Sequence, residues 1–177
     1  LYIFKLKDYT NFSIRDFQVL GGHLASLISF YREEKVGIYP DGVISKKVSF
    51  INGISEMLIG SLLASYKFNK YKKINDKKDK IKKSSKVKIY SSSYSRLEKN
   101  YINVEAVSEG TTLTRNLVTE PPNVMTPPEI AKNAESLEKI GIKVTILGEK
   151  EMTKLGMGSL LSVGRASEHE SKLAIME

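Results

Sequence analysis

The sequence predicts an α/β fold. Three observations carry that expectation: long stretches with apolar residues at three- and four-residue spacing, short β-branched runs between them, and regular alternation of the two. Over 177 residues, 41% hydrophobic and 27% charged side chains are an ordinary globular balance, not that of a disordered chain. A complete folding unit of this length buries roughly 70% of its unfolded surface.

In chain order, Leu20, Leu24, Leu27, Ile28 and Tyr31 line one face of a helix over Phe17 to Tyr31, with Gly21 and Gly22 lowering its propensity. Lys35 to Tyr39 reads as a strand ended by the turn Pro40-Asp41-Gly42. Phe50 to Tyr66 reads as a helix presenting Ile51, Ile54, Leu58 and Leu62, and Val87 to Ser91 as the next strand. Such alternation favours a largely parallel sheet. A long helix follows over Leu97 to Val118, with Leu97, Tyr101, Val104, Val107, Leu113 and Leu117 as candidate buried positions; Gly110, Thr111 and Thr112 lower propensity in its middle. Pro121-Pro122 stops it, and the domain boundary is placed there.

The next helix has a full start signal: Thr126 as cap, Pro127 in the first helical position and Glu129 to complete a capping box. Ile130, Ala134 and Leu137 form its expected buried face and Gly141 its end. A strand over Ile142 to Leu147, a short helix over Glu149 to Leu155 closed by Gly156, and a small-residue segment from Gly158 to Gly164 lead to a last strand from Lys172 to Glu177. That strand is expected to leave an unpaired edge, which invites association. Leu1 opens on a strand-like run and Glu177 closes on one, so both ends read as cut.

Few features carry chemistry. The chain has no cysteine, hence neither a disulfide nor a thiolate metal site. No run of about 18 apolar residues and no signal-peptide pattern occurs, which favours a cytoplasmic setting and no membrane partner. His23 on the first helix reads as a partly buried structural residue, and Glu168, His169 and Glu170 as a solvated turn, since no second histidine completes a His-Glu-x-x-His helix. Gly156, Gly158 and Gly164 lack dinucleotide-loop spacing and point to close backbone packing. Between Lys70 and Lys88, ten lysines stand against Asp76 and Asp79, so this stretch alone accounts for the net charge of +8. With only Tyr71 for stacking and no arginine, it reads as a solvated loop ahead of a nucleic-acid contact.

The stretch Arg115-Asn116-Leu117-Val118-Thr119-Glu120-Pro121-Pro122-Asn123-Val124-Met125-Thr126-Pro127 resembles the entry to the catalytic domain of leucyl (cytosol) aminopeptidases. The resemblance continues through Lys143 to Leu147 and Leu155 to Gly164, and upstream at Gly60 to Lys72; the first fifty residues match loosely. Arg165-Ala166-Ser167 stands where the family usually has Gln-Gly-Ser, and Thr119 where Asn is frequent.

The resemblance implies a macro-domain-like α/β domain over 1–94, a connecting helix over 95–118 and the truncated start of an α/β metallopeptidase domain over 119–177. It also implies removal of N-terminal residues from peptide substrates by two divalent ions, Mn or Zn, in a homo-hexamer. The family's metal ligands lie in Gly-Lys-Gly-x-x-x-Asp-x-Gly-Gly and Asn-x-Asp-Ala-Glu-Gly-Arg stretches, neither of which occurs in these 177 residues. No catalytic or metal-binding residue is therefore assigned, substrate-binding residues are unknown, and the 177 residues alone are expected to be inactive. The alternatives are a non-catalytic nucleotide- or nucleic-acid-binding module and a relic of a split gene.

Overall fold

A computed structural model describes residue 6 and residues 9–31, 34–73 and 85–177. The chain divides into two units, Leu1–Arg115 and Asn116–Glu177.

In the first unit, α1 runs over Ile14–Tyr31. Asp16 Oδ2 accepts from the Ser13 amide at 2.8 Å and the Ser13 hydroxyl at 2.7 Å, while the Asp16 amide donates to Ser13 Oγ at 3.4 Å. These reciprocal bonds satisfy donors the first turn leaves free. Strand β1 (Lys35–Ile38) leads into the expected turn, closed by the Val43 amide donating to Pro40 O at 2.8 Å. Helix α2 (Phe50–Ala64) starts at Ser49, whose hydroxyl accepts from the Asn52 amide, and stops at Ser65. Strand β2 (Lys86–Ile89) pairs with β1 in parallel, Lys35 opposite Lys86 and Ile38 opposite Ile89. Helix α3 spans Tyr94–Thr119.

Glycine explains how α1 and α2 meet. A Cβ on Gly21 would stand 1.9 Å from Met57 O, and one on Gly60 2.1 Å from Gln18 O, so the two backbones touch. The residues that weaken helix propensity are thus the ones the crossing requires. Around it lie Phe17, Ile54, Met57 and Leu97, all buried, with Phe12, Leu20, Leu24, Ile38 and Ile89 packed against them. The Phe17 ring rests on Gly53, where a Cβ would fall 2.6 Å from Cζ, and meets the Phe12 ring edge-on at 5.5 Å.

Helix α3 corrects the expected burial. Leu97, Val104 and Ser108 are buried and Leu117 is half-buried, whereas Tyr101, Val107 and Leu113 are exposed. At 3.6 residues per turn, Leu97, Asn100, Val104 and Ser108 share a stripe; Val107 falls at its edge, beside Asn100, and Leu113 points well away from it. The stripe is partly polar: Asn100 Nδ2 donates to Ser55 Oγ at 2.7 Å, and that hydroxyl donates to Ile51 O at 2.8 Å.

In the second unit, α4 (Pro127–Glu135) passes into a 3₁₀ turn (Ser136–Ile140) ended by Gly141 at φ 93°. Strand β3 (Val144–Leu147), α5 (Glu149–Lys154), α6 (Gly158–Gly164) and β4 (Leu173–Met176) follow. Met152 is fully buried, and Ala131 and Ala134 are the buried face of α4.

Four expectations change here. Thr126 does cap α4, but its side chain makes no capping bond and Glu129 faces Lys132 at 3.9 Å instead. Pro128, in the second helical position, removes one of the two amides such a cap would serve. Ile130 is exposed and Ala131 takes its place inside, while Leu137 is half-buried. The small-residue segment is a helix, α6. The β3–β4 pair is antiparallel, Val144 opposite Met176, and the Lys143 and Glu177 backbones bond reciprocally at 3.0 and 2.9 Å to prolong it.

Candidate functional site

His23 lies on the outer face of α1 and is exposed, which corrects the expected partial burial. His169 sits in an exposed bend between Glu168 and Glu170, as the turn reading expects. The acidic groups around that bend are already engaged. Glu170 Oε2 accepts from Lys172 Nζ at 2.6 Å, Glu149 Oε1 from the Ser171 amide at 2.9 Å, and Glu151 Oε2 from the Gly148 amide at 3.1 Å. The Lys172 hydrogen bond, and next its charge, hold the Glu170 carboxyl below its ordinary range. Together these bonds pin the approach to β4 against the start of α5.

The three glycines of this region act differently. Gly156, at φ 71°, supplies a left-handed residue after α5, and nothing crowds Gly156 or Gly158. Only Gly164 shows the expected close packing, since a Cβ there would fall 1.9 Å from Ser171 Oγ.

Of the lysine-rich stretch, Lys77, Lys78, Lys80, Lys82 and Lys83 lie outside the described residues. Lys70, Lys72 and Lys73 are exposed, with Lys70 Nζ 5.5 Å from the Tyr71 ring centre. Lys86 and Lys88 belong to β2.

At the first motif stretch, Arg115 Nη1 donates to Leu63 O at 2.7 Å and its guanidinium lies 5.5 Å from the Tyr66 ring centre. The contact occupies a carbonyl that the end of α2 leaves without a helical partner. Beyond it, the Val124 and Met125 amides both donate to Pro121 O at 2.9 Å, turning the chain into the buried Thr126.

One feature was not legible beforehand. Where β1 and β2 end, the Tyr39 and Tyr90 rings stack with centres 4.8 Å apart and planes 10° from parallel. Beside them Lys88, Tyr90, Ser91 and Tyr94 line a shallow cleft of about 640 Å³. Asp41 anchors the loop below, accepting from the Ser92 amide at 2.8 Å, and hydrogen bonds from Ser91 and then Ser92 hold its carboxyl below the ordinary range. The two tyrosines are 51 positions apart, and only the parallel register joins them.

Among the described residues, no three His, Asp or Glu side chains converge as a metal-ligand set, so the donors present do not fit a two-ion centre. Among them, too, no helix is long and apolar enough to cross a membrane.

Comparison with known proteins places the chain. The model of the cytosol aminopeptidase family, catalytic domain, matches residues 112–177. A "Probable cytosol aminopeptidase" of Rhizobium leguminosarum bv. trifolii is 35% identical over 178 residues, covering 100% of this chain and 35% of the relative. Its namesake in Brucella anthropi is 42% identical over 125 residues, covering 70% of this chain and 25% of the relative. The chain thus spans about a third or less of the length of these relatives. A tomato leucine aminopeptidase mutant shares the fold with TM-score 0.72 at 20% identity, over 94% of this chain and 34% of that one. The bottromycin maturation enzyme BotP in complex with Mn does so with TM-score 0.73 at 18% identity, over 93% and 33%. The chain belongs to the cytosol aminopeptidase family.

Proposed function

We propose that these 177 residues are a supporting portion of a cytoplasmic leucyl aminopeptidase, one that contributes framework and assembly surface and not the reacting groups. The observation that carries this reading is the 35% identity to an aminopeptidase along the whole of this chain. The domain plan that goes with it is a macro-domain-like domain over 1–94, a connecting helix over 95–118 and the beginning of the catalytic domain over 119–177. Peptides with a free amino terminus are the substrates of the whole protein, and its assembly is a hexamer.

In the whole protein two divalent ions, Mn or Zn, would activate water and polarise the scissile carbonyl. The two ligand-bearing stretches that the resemblance implies do not occur here. The residues at hand do mechanical work instead. Arg115 ties the first motif stretch to the end of α2, and Lys172 with Glu170 fixes the approach to β4.

The test compares two proteins on leucine p-nitroanilide with added Mn or Zn. The 177-residue chain alone is expected to show no turnover. A chimera in which the remaining length comes from the Rhizobium relative is expected to be active. Metal-dependent turnover by the 177 residues alone would overturn the supporting role, and a folded but inert chimera would overturn the aminopeptidase reading.

A further inference from the structure

Among the described residues, the β1–β2 sheet buries one face and leaves the other open. Side chains alternate across a strand, so Lys35 and Gly37 share a face on β1 and Lys86 and Lys88 share one on β2. The register sets Lys35 opposite Lys86 and Gly37 opposite Lys88, which makes these one continuous face. Tyr39 and Tyr90 extend it by one step, as the Tyr90 amide donates to Ile38 O at 2.8 Å. A Cβ on Gly37 would meet Tyr90 Cε2 at 3.2 Å and Tyr39 Cε2 at 3.5 Å, so both rings fold back over the glycine on that side. Ile38 and Ile89, on the opposite face, pack into the core.

The open face therefore presents three exposed lysines and a pair of stacked tyrosines, with Tyr39 73% and Tyr90 46% exposed. Among the described residues no carboxylate comes within ion-pair distance of Lys35, Lys86 or Lys88. Nearby acids are occupied: Asp41 holds the Ser92 amide, and Glu98 Oε1 accepts from the Tyr94 hydroxyl at 2.6 Å.

A parallel sheet ordinarily has both faces covered by apolar layers. An apolar layer here would desolvate three ammonium groups without partners, at heavy cost. The charge instead suits a polyanion, and the flat exposed rings suit a partner with π-faces to stack. Single-stranded nucleic acid has both, with phosphates for the lysines and unpaired bases for the tyrosines. A duplex keeps its bases stacked on one another and offers the rings much less.

We infer that the open face of the β1–β2 sheet binds single-stranded nucleic acid, with bases stacked on Tyr39 and Tyr90 and phosphates on Lys35, Lys86 and Lys88. From Lys86 to Tyr90 the strand spans about 13 Å, room for about two nucleotides, so binding is modest and strongly salt-dependent. The inference does not depend on the aminopeptidase reading. It also differs from a role for the lysine-rich stretch as such, since stacking on two particular rings is central to it.

The test is fluorescence anisotropy of a labelled oligothymidylate of about twelve nucleotides with the 177-residue chain, in salt from about 50 to 200 mM. The single strand is expected to bind more tightly than a duplex of equal length. Tyr39→Ala with Tyr90→Ala is expected to weaken binding at least about tenfold, whereas the Tyr39→Phe, Tyr90→Phe pair, which keeps the rings, binds nearly as the parent does. Lys88→Ala is expected to lower the salt slope by about 0.7. Circular dichroism checks that each variant is folded, as substitutions at exposed positions should be. Absence of binding, equal affinity for the duplex, or unchanged affinity in the folded alanine pair would each overturn the proposal. The last result would assign binding to the lysines of 70–83.

Discussion

The two units of this chain are held in different ways. Leu1–Arg115 closes around large side chains, Phe17, Ile54, Met57 and Leu97, at a crossing where helix backbones touch. In Asn116–Glu177 the buried apolar residues are Met152 and two alanines, and Ile130, Ile140, Leu155 and Val163 are exposed. A unit of about 60 residues buries only about 60% of its unfolded surface, so caps and polar clasps carry a larger share of its stability. The first unit should accordingly absorb a single defect, while the second should lose its structure to one.

The largest effect is expected at the ring in the centre of the first unit. Phe17→Ala removes a fully buried side chain resting on Gly53 and should cost about 4 kcal/mol in urea unfolding. Met152→Ala should cost somewhat less, about 3 kcal/mol, because it empties a fully buried site of a smaller side chain than the Phe17 ring. Yet amide exchange should show Asn116–Glu177 opening in Met152→Ala while Leu1–Arg115 stays protected. If Met152→Ala left exchange in the second unit unchanged, the contrast between the units would be wrong.

Overpacking sharpens the comparison from the other side. Gly21→Ala places a carbon against Met57 O, a backbone atom that cannot swing aside, and should cost about 3 kcal/mol by forcing α1 from α2. In the second unit the sensitive glycine is conformational. Gly156 has open space around it but φ 71°, so Gly156→Ala should cost about 1 kcal/mol through backbone strain alone. Gly158→Ala, with open space and no positive φ, should be neutral or slightly stabilising.

The same contrast decides what could be read in advance. Elements of the first unit follow from local signals: the periodicity of α1 and α2, the turn at Pro40 to Gly42, and the alternation that makes β1 and β2 parallel. On α3 the apolar spacing finds Leu97 and Val104, but the face is completed by Asn100 and Ser108, polar residues that an apolar-only pattern passes over. In the second unit, the exchange of Ile130 for Ala131 reflects close packing that favours small residues, and α6 forms despite two glycines. Alternation of strands and helices points to parallel pairing, which β1–β2 follows and β3–β4, joined through two short helices, does not. The family stretch at Arg115 to Pro127 was legible as a motif, whereas its tie to Leu63 O was not. The Tyr39–Tyr90 stack arises only once the register exists.

The smallest effects separate the two units by the nature of their clasps. Asp41 in the first unit is held by neutral donors, first the Ser91 hydroxyl and then the Ser92 amide; Glu170 in the second is held first by the Lys172 ammonium hydrogen bond and then by its charge. Both carboxyls titrate below their unfolded values of about 4, so each contributes stability that is present above that pH and lost as pH falls through the folded value. Acidification below about pH 4 should therefore weaken both units. Salt should tell them apart. At about 1 M the screening length shrinks to about 3 Å, which diminishes the attraction of an exposed ammonium and leaves neutral hydrogen bonds nearly untouched. NMR titration of the carboxyl carbons should show the Glu170 midpoint rising with salt, and rising further in Lys172→Met, while Asp41 moves little in either. An Asp41 midpoint as salt-sensitive as that of Glu170 would mean that charge, and not the serine loop, orders the end of the β1–β2 sheet.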